Sequence, residues 1–177
     1  MNLLYAFYAG LGSFAFGILF NVRGKNLIFA GLSGMFGWLT YLTLIDNGHS
    51  TNVSLFGASL AVSLLSEILA RILKNPVTIY VIAGIIPLVP GSGMYNTMFE
   101  SITGSLEKAI SLGFSTLINA GSIALGIVFV SSIGRFLFKK KEYKFLLAIV
   151  LVIPVIRHIR KLIREEESNQ ELQTSNL

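Results

Sequence analysis

The chain has 177 residues, is 53% hydrophobic and only 13% charged, and carries a formal net charge of +5. Soluble globular proteins carry roughly 25% charged residues, so this composition excludes an ordinary water-soluble domain and indicates a chain solvated by lipid. There is no cysteine, which excludes disulfides and cysteine-ligated metals, and the basic residues cluster between apolar runs, a topology pattern and not a nucleic-acid surface.

A spanning helix needs roughly 20 mostly apolar residues. The first such run covers about residues 2–20; its start, "MNLLYAFYAG", has no basic region ahead of it, so it reads as a span and not a cleavable leader. The second covers about 27–45 and opens after "NVRGKN". The third, about 53–73, follows the polar turn "DNGHSTN". The fourth, about 77–99, contains "GIIPLVPGSGMYN", and the fifth covers about 114–138. Strands of an outer-membrane barrel would alternate in polarity, and these runs do not, so the expected fold is an all-α polytopic membrane helix bundle.

Loop charges set the expected orientation. Arg23 and Lys25 follow the first run, Arg71 and Lys74 the third, and Arg135, Lys139, Lys140 and Lys141 the fifth. Asn47 to Asn52 holds no Lys or Arg, and Lys108 is balanced by Glu100 and Glu107. Basic clusters at every second boundary place those boundaries inside, giving an outer N-terminus and an inner C-terminus. The bundle is expected to occupy residues 1–141. The apolar stretch "FLLAIVLVIPVI" is short for a span, and Arg157, Arg160, Lys161 and Arg164 follow it. Residues 142–164 are therefore expected to form a basic interfacial helix on the inner face, with a sixth span as the alternative, and 165–177 a disordered tail.

The fourth run poses the main question. Pro87 and Pro90 each remove a backbone donor and clash with the preceding turn, and Gly91, Ser92 and Gly93 follow directly. From Val77, Pro90 lies roughly 20 Å along a helix rising 1.5 Å per residue, inside a hydrocarbon core about 30 Å thick. Unpaired backbone groups in hydrocarbon are costly, so such breaks persist where they are buried in protein or line a cavity. Transporters use a half-helix N-terminus of this kind to hold an anionic group. The expected binding residues are Pro87, Pro90, Gly91, Ser92, Gly93, Tyr95 and Asn96, with Thr97 nearby; the plainer alternative is a packing kink.

Ser59, Ser63, Glu67 and Arg71 recur every four residues and form one polar stripe on the third helix. Glu67 could carry a proton or pair with a substrate amine; alternatively it forms an i,i+4 ion pair with Arg71. Asn119 could line the same cavity or bond a neighbouring helix, and the helix contact is the one expected. Ala9, Ser13 and Gly17, Gly57 and Ala61, Ser122 and Gly126, and Gly31, Gly34 and Gly37 allow close helix packing. His49 and His158 stand apart, and no phosphate loop, nucleophile elbow or paired-histidine motif is present. No enzyme activity, cofactor or metal is expected.

The segment "SEILARILKNPVTIYVIAGIIPLVPGSGMYNTM", the loop "FNVRGKNL" and the small-residue-rich second run resemble the threonine/serine exporter (ThrE-like) family, in its short five-span subunit type, over about residues 5–140. The hydrophobic tail after Lys141 departs from that pattern. The resemblance implies a plasma-membrane protein of a prokaryote that exports L-threonine and L-serine, driven by proton motive force, together with a larger ThrE-like membrane subunit. Some members export dicarboxylates such as succinate instead. The rival class is a membrane scaffold or assembly protein that transports nothing.

Overall fold

A computed structural model describes residues 2–137. The expected interfacial helix at 142–164, the tail at 165–177 and the cations Lys139, Lys140 and Lys141 lie outside the described residues. All regular structure among the described residues is helical: α1 (Asn2–Leu19), α2 (Lys25–Asp46), α3 (Thr51–Leu73), α4 (Val77–Ile85), a 3-10 turn (Ile86–Leu88), α5 (Gly91–Thr103) and α6 (Leu106–Leu137). The molecule is a polytopic helical bundle.

The helix ends follow from local chemistry. Gly24 precedes α2 with φ 62°, a conformation that a Cβ disfavours. Lys74 ends α3 in the left-handed region, its N–H bonded to the Ala70 carbonyl, and Pro76 prevents continuation. Gly104, at φ 118°, ends α5.

Helices α2, α3 and α6 are long and apolar enough to cross a membrane, and α4 with its 3-10 turn and α5 together make a fourth candidate, bent by 53°. The apolar part of α1, Leu3–Leu19, is shorter, at the lower limit of a spanning length. Two boundaries differ from expectation. Helix α5 runs to Thr103 instead of about residue 99, and α6 starts at Leu106, not near 114. The polar run "LEKAISLG" contains good helix formers and no proline, so charge there marks the end of the apolar layer without ending the helix.

Helix α2 lies at the centre, packing on α1, α3 and α4, while α6 packs on α3 and α5. The seams are made of small residues, because a glycine lets two backbones approach. A Cβ on Gly34 would collide with Ser13 of α1, one on Gly37 with Val62 of α3, and one on Gly126 with Ser59 of α3. Two apolar clusters fill the interior: Leu55, Ala58, Val62, Leu88 and Ile123 in one, Ala30, Ala70, Tyr80 and Ala83 in the other.

Candidate functional site

The P-x-x-P-G segment breaks the helix as its composition dictates. The regular α4 ladder stops at Ile85, tightens into the 3-10 turn, and is followed by Val89 in an extended conformation (φ −59°, ψ 129°). Pro90 precedes α5 and no side chain caps that helix. The Val89 N–H bonds to the Ile86 carbonyl at 3.2 Å, that of Gly91 to Val89 at 2.7 Å, and that of Met94 to Pro90 at 3.2 Å. The amides of Ser92 and Gly93 fall in the first turn, where a helix supplies no internal acceptor. They point along the helix axis, at the positive end of its dipole.

The named residues divide by environment. Pro87 is half-buried, its ring beside Gly34 of α2, and Leu88 is buried. Gly91 and Ser92 are exposed, and a Cβ on Gly91 would meet nothing within 4 Å. Gly93 is different: a Cβ there would strike Thr116 of α6, so this glycine seats α5 on α6. Thr97 acts in the same seam, its Cγ2 lying 3.2 Å from the Cβ position of Gly113 and its hydroxyl donating to the Gly93 carbonyl at 2.7 Å. Tyr95 and Asn96 are exposed, and Tyr95 stacks on Phe99 with ring centroids 6.2 Å apart.

The α3 stripe is split as well. Ser59 is buried against Gly126 and donates to the Phe56 carbonyl at 2.8 Å. Ser63 is buried with no partner for its hydroxyl. Glu67 accepts from Arg71 at 3.1 Å, an i,i+4 pair in which the carboxylate side chain is 13% exposed and the guanidinium 40%. Asn119 does not form the expected bond through its Oδ1, which is buried without a partner. Among the described residues no three His, Asp or Glu side chains converge as metal ligands.

Sequence reasoning missed one feature at the other end of α4. Asn26, at the start of α2, accepts from the Tyr80 hydroxyl at 2.9 Å and from the Asn75 amide at 3.1 Å. Asn75 also donates to the Leu73 carbonyl at 2.8 Å. This latch ties α2, the α3–α4 turn and α4 together around a fully buried tyrosine. The available signal was polar: two asparagines flanking apolar runs and a hydroxyl one turn inside the fourth.

A family model described as threonine/serine exporter, ThrE, matches residues 5–133. A curated threonine/serine exporter from Corynebacterium glutamicum is 29% identical over 126 residues, which cover 71% of this chain and 26% of that protein. The chain thus spans about a quarter of the length of that relative. No solved structure matches significantly. The broken fourth run lies within the matched region, and so do the stripe and the latch: the chain belongs to the threonine/serine exporter family.

Proposed function

We propose that the chain is a membrane subunit of a secondary exporter of small carboxylate solutes, with L-threonine and L-serine as substrates and proton motive force as the driving gradient. It works with a larger membrane subunit of the same family in a prokaryotic plasma membrane, its N-terminus outside. Family membership supports export, and the Corynebacterium glutamicum relative, a threonine/serine exporter, supports the substrates. One observation carries the site: an apolar helix pair broken at Ile86–Pro90, with uncapped first-turn amides at Ser92 and Gly93 beside an exposed, unobstructed Gly91. A carboxylate there meets N–H groups and a helix dipole instead of a fixed cation, so it is held without a strong ion pair that would slow its release.

Pro87→Ala combined with Pro90→Ala restores the missing donors and allows the helix to close over these amides. Gly91→Val fills the approach by bulk, and the open space around it predicts little loss of stability. Co-expressed with the larger subunit, both variants should reach the membrane and bind that partner while amino-acid efflux falls at least tenfold. Wild-type efflux with unchanged apparent affinity in the double-alanine protein would reduce the break to a packing kink.

A further inference from the structure

Charge is divided unevenly between the two ends of the bundle. Asp46, Glu100, Glu107 and Lys108 lie by the α2–α3 and α5–α6 turns, where acidic groups are in excess. Arg23, Lys25, Arg71 and Lys74 lie by the α1–α2 and α3–α4 turns, with Glu67 one turn before Arg71. Glu67 is already engaged by Arg71 at 3.1 Å. Among the described residues no second carboxylate stands at this end, and Arg23, Lys25 and Lys74 are all exposed.

The latch makes one patch of the two turns. Asn26 Oδ1 accepts from Asn75 Nδ2 at 3.1 Å and from the Tyr80 hydroxyl at 2.9 Å. Lys25 and Lys74 each stand one residue from that bonded pair, although 49 positions separate the two asparagines in the chain. Arg23 is held by its own loop, its Nε donating to Asn21 Oδ1 at 3.0 Å. Helices α2 and α4 both begin here, and neither has a side-chain cap, so two positive helix poles add to the field of the three cations.

Position decides what this patch meets. Lys25 is the first residue of α2 and Lys74 follows the last of α3, and both helices are long and apolar enough to cross a membrane. Cations there stand at the rim of the apolar layer, at the depth of lipid phosphates. Just inside the rim, large apolar side chains lie open: Leu19 and Phe20 at the end of α1, Ile28 one turn into α2 and Ile72 at the end of α3. A soluble acidic partner would match the cations and leave these side chains uncovered. A phospholipid matches both. We propose that Arg23, Lys25 and Lys74 form a binding site for the headgroup of an anionic phospholipid, whose acyl chains cover the apolar side chains beneath. Arg23 offers phosphate oxygens a planar fork of donors, and the lysines offer point charges. The site belongs to this chain alone and does not rest on the proposed function or on the orientation of the chain.

The test uses the purified full-length chain, stripped of lipid and melted in detergent micelles carrying phosphatidylglycerol or phosphatidylcholine at equal mole fraction. Phosphatidylglycerol should raise the melting temperature saturably, by about 3–6 °C at a tenfold excess over its Kd, and phosphatidylcholine should not. Lys25→Gln and Lys74→Gln should each need about fivefold more phosphatidylglycerol for the same rise, and the double variant at least tenfold more. Lys25→Arg with Lys74→Arg keeps the charge and should keep the rise. Lys108→Gln, at the opposite end, should behave as wild type. Equal melting of the wild type in the two lipids overturns the site. So does an unchanged phosphatidylglycerol response in the double glutamine variant, or an equal loss in Lys108→Gln, which would make the effect one of net charge. Should the glutamine variants not fold, raising NaCl from about 50 to about 500 mM should remove most of the wild-type difference between the lipids, and an undiminished difference overturns the site. Two further arms fix the source of the anion. Inorganic phosphate that reproduces the rise in phosphatidylcholine micelles would assign the cations to a free anion, and polyglutamate that does so would assign them to an acidic peptide; either result overturns a lipid site.

Discussion

Asn26→Ala should destabilise the bundle out of proportion to the size of the change. The Asn26 carbonyl oxygen serves two donors, the Tyr80 hydroxyl at 2.9 Å and the Asn75 amide at 3.1 Å. Removing it leaves Asn75 with the Leu73 carbonyl at 2.8 Å, but leaves the Tyr80 hydroxyl with no acceptor at a residue that is 0% exposed. An orphaned buried polar group costs about 1–3 kcal/mol. Tyr80→Phe removes the donor instead, and Asn26 keeps Asn75, so only the net worth of one hydrogen bond is lost, about 0.6 kcal/mol in membrane bundles. In the Tyr80→Phe background, Asn26→Ala should therefore cost about 1–2 kcal/mol less than in wild type, because no hydroxyl remains to be orphaned. On the scale of a domain this size, ~2 kcal/mol is a fall of roughly 4–8 °C in melting temperature. Circular-dichroism melts of the two single variants and the double variant in detergent complete the cycle. Additivity within about 0.5 kcal/mol would mean that the two residues do not interact, and the latch would be refuted.

Two further outcomes follow from charge. Because the chain lacks cysteine, single cysteines at Asn47 and Ser105 should react with an impermeant maleimide from outside the cell, and one at Lys25 should not; the reverse pattern inverts the topology. Glu67→Gln should change stability by less than about 0.5 kcal/mol, since an i,i+4 pair with an exposed guanidinium is weak, yet it should abolish the pH dependence of efflux if Glu67 carries the proton. Efflux assayed across a pH series decides this, and an unaltered profile returns Glu67 to the ion pair with Arg71.

The helical bundle was legible because lipid imposes a strong rule: every backbone group must be satisfied within its own segment, so apolar run length translates directly into helices. The break was legible for a related reason, since Pro87 and Pro90 delete donors whatever the tertiary context. Less was visible where partners come from distant sequence. The roles of Gly91 and Gly93 look alike in the string "GSG", yet Thr116 covers the second and nothing approaches the first. Only the α5–α6 turn, tightened at Gly104, brings residue 116 back to residue 93. The latch has the same character, because Asn26 and Tyr80 are 54 positions apart. The start of α6 at Leu106 is hidden in the sequence because Glu107 and Lys108 mark the edge of the apolar run, and the helix continues across that edge intact.

The two halves of the broken helix are held very differently, and this bears on how such a break can work. Helix α4 is locked: Tyr80 and Ala83 are fully buried against Ala30 and Ala70, and the latch adds polar bonds to α2 and the α3–α4 turn. Helix α5 has no buried residue and rests on α6 through Gly93 on Thr116 and Thr97 on Gly113. Elements with few buried contacts have the lowest local stability and are the ones that move. A continuous helix would join these halves into one rigid rod and share the α4 packing with α5. Two prolines prevent that, because the hydrogen-bond ladder that would couple the halves lacks its donors at residues 87 and 90. The break thus presents amides to a ligand and also uncouples the half that carries those amides, α5, from the half that fixes their position in the bundle, α4.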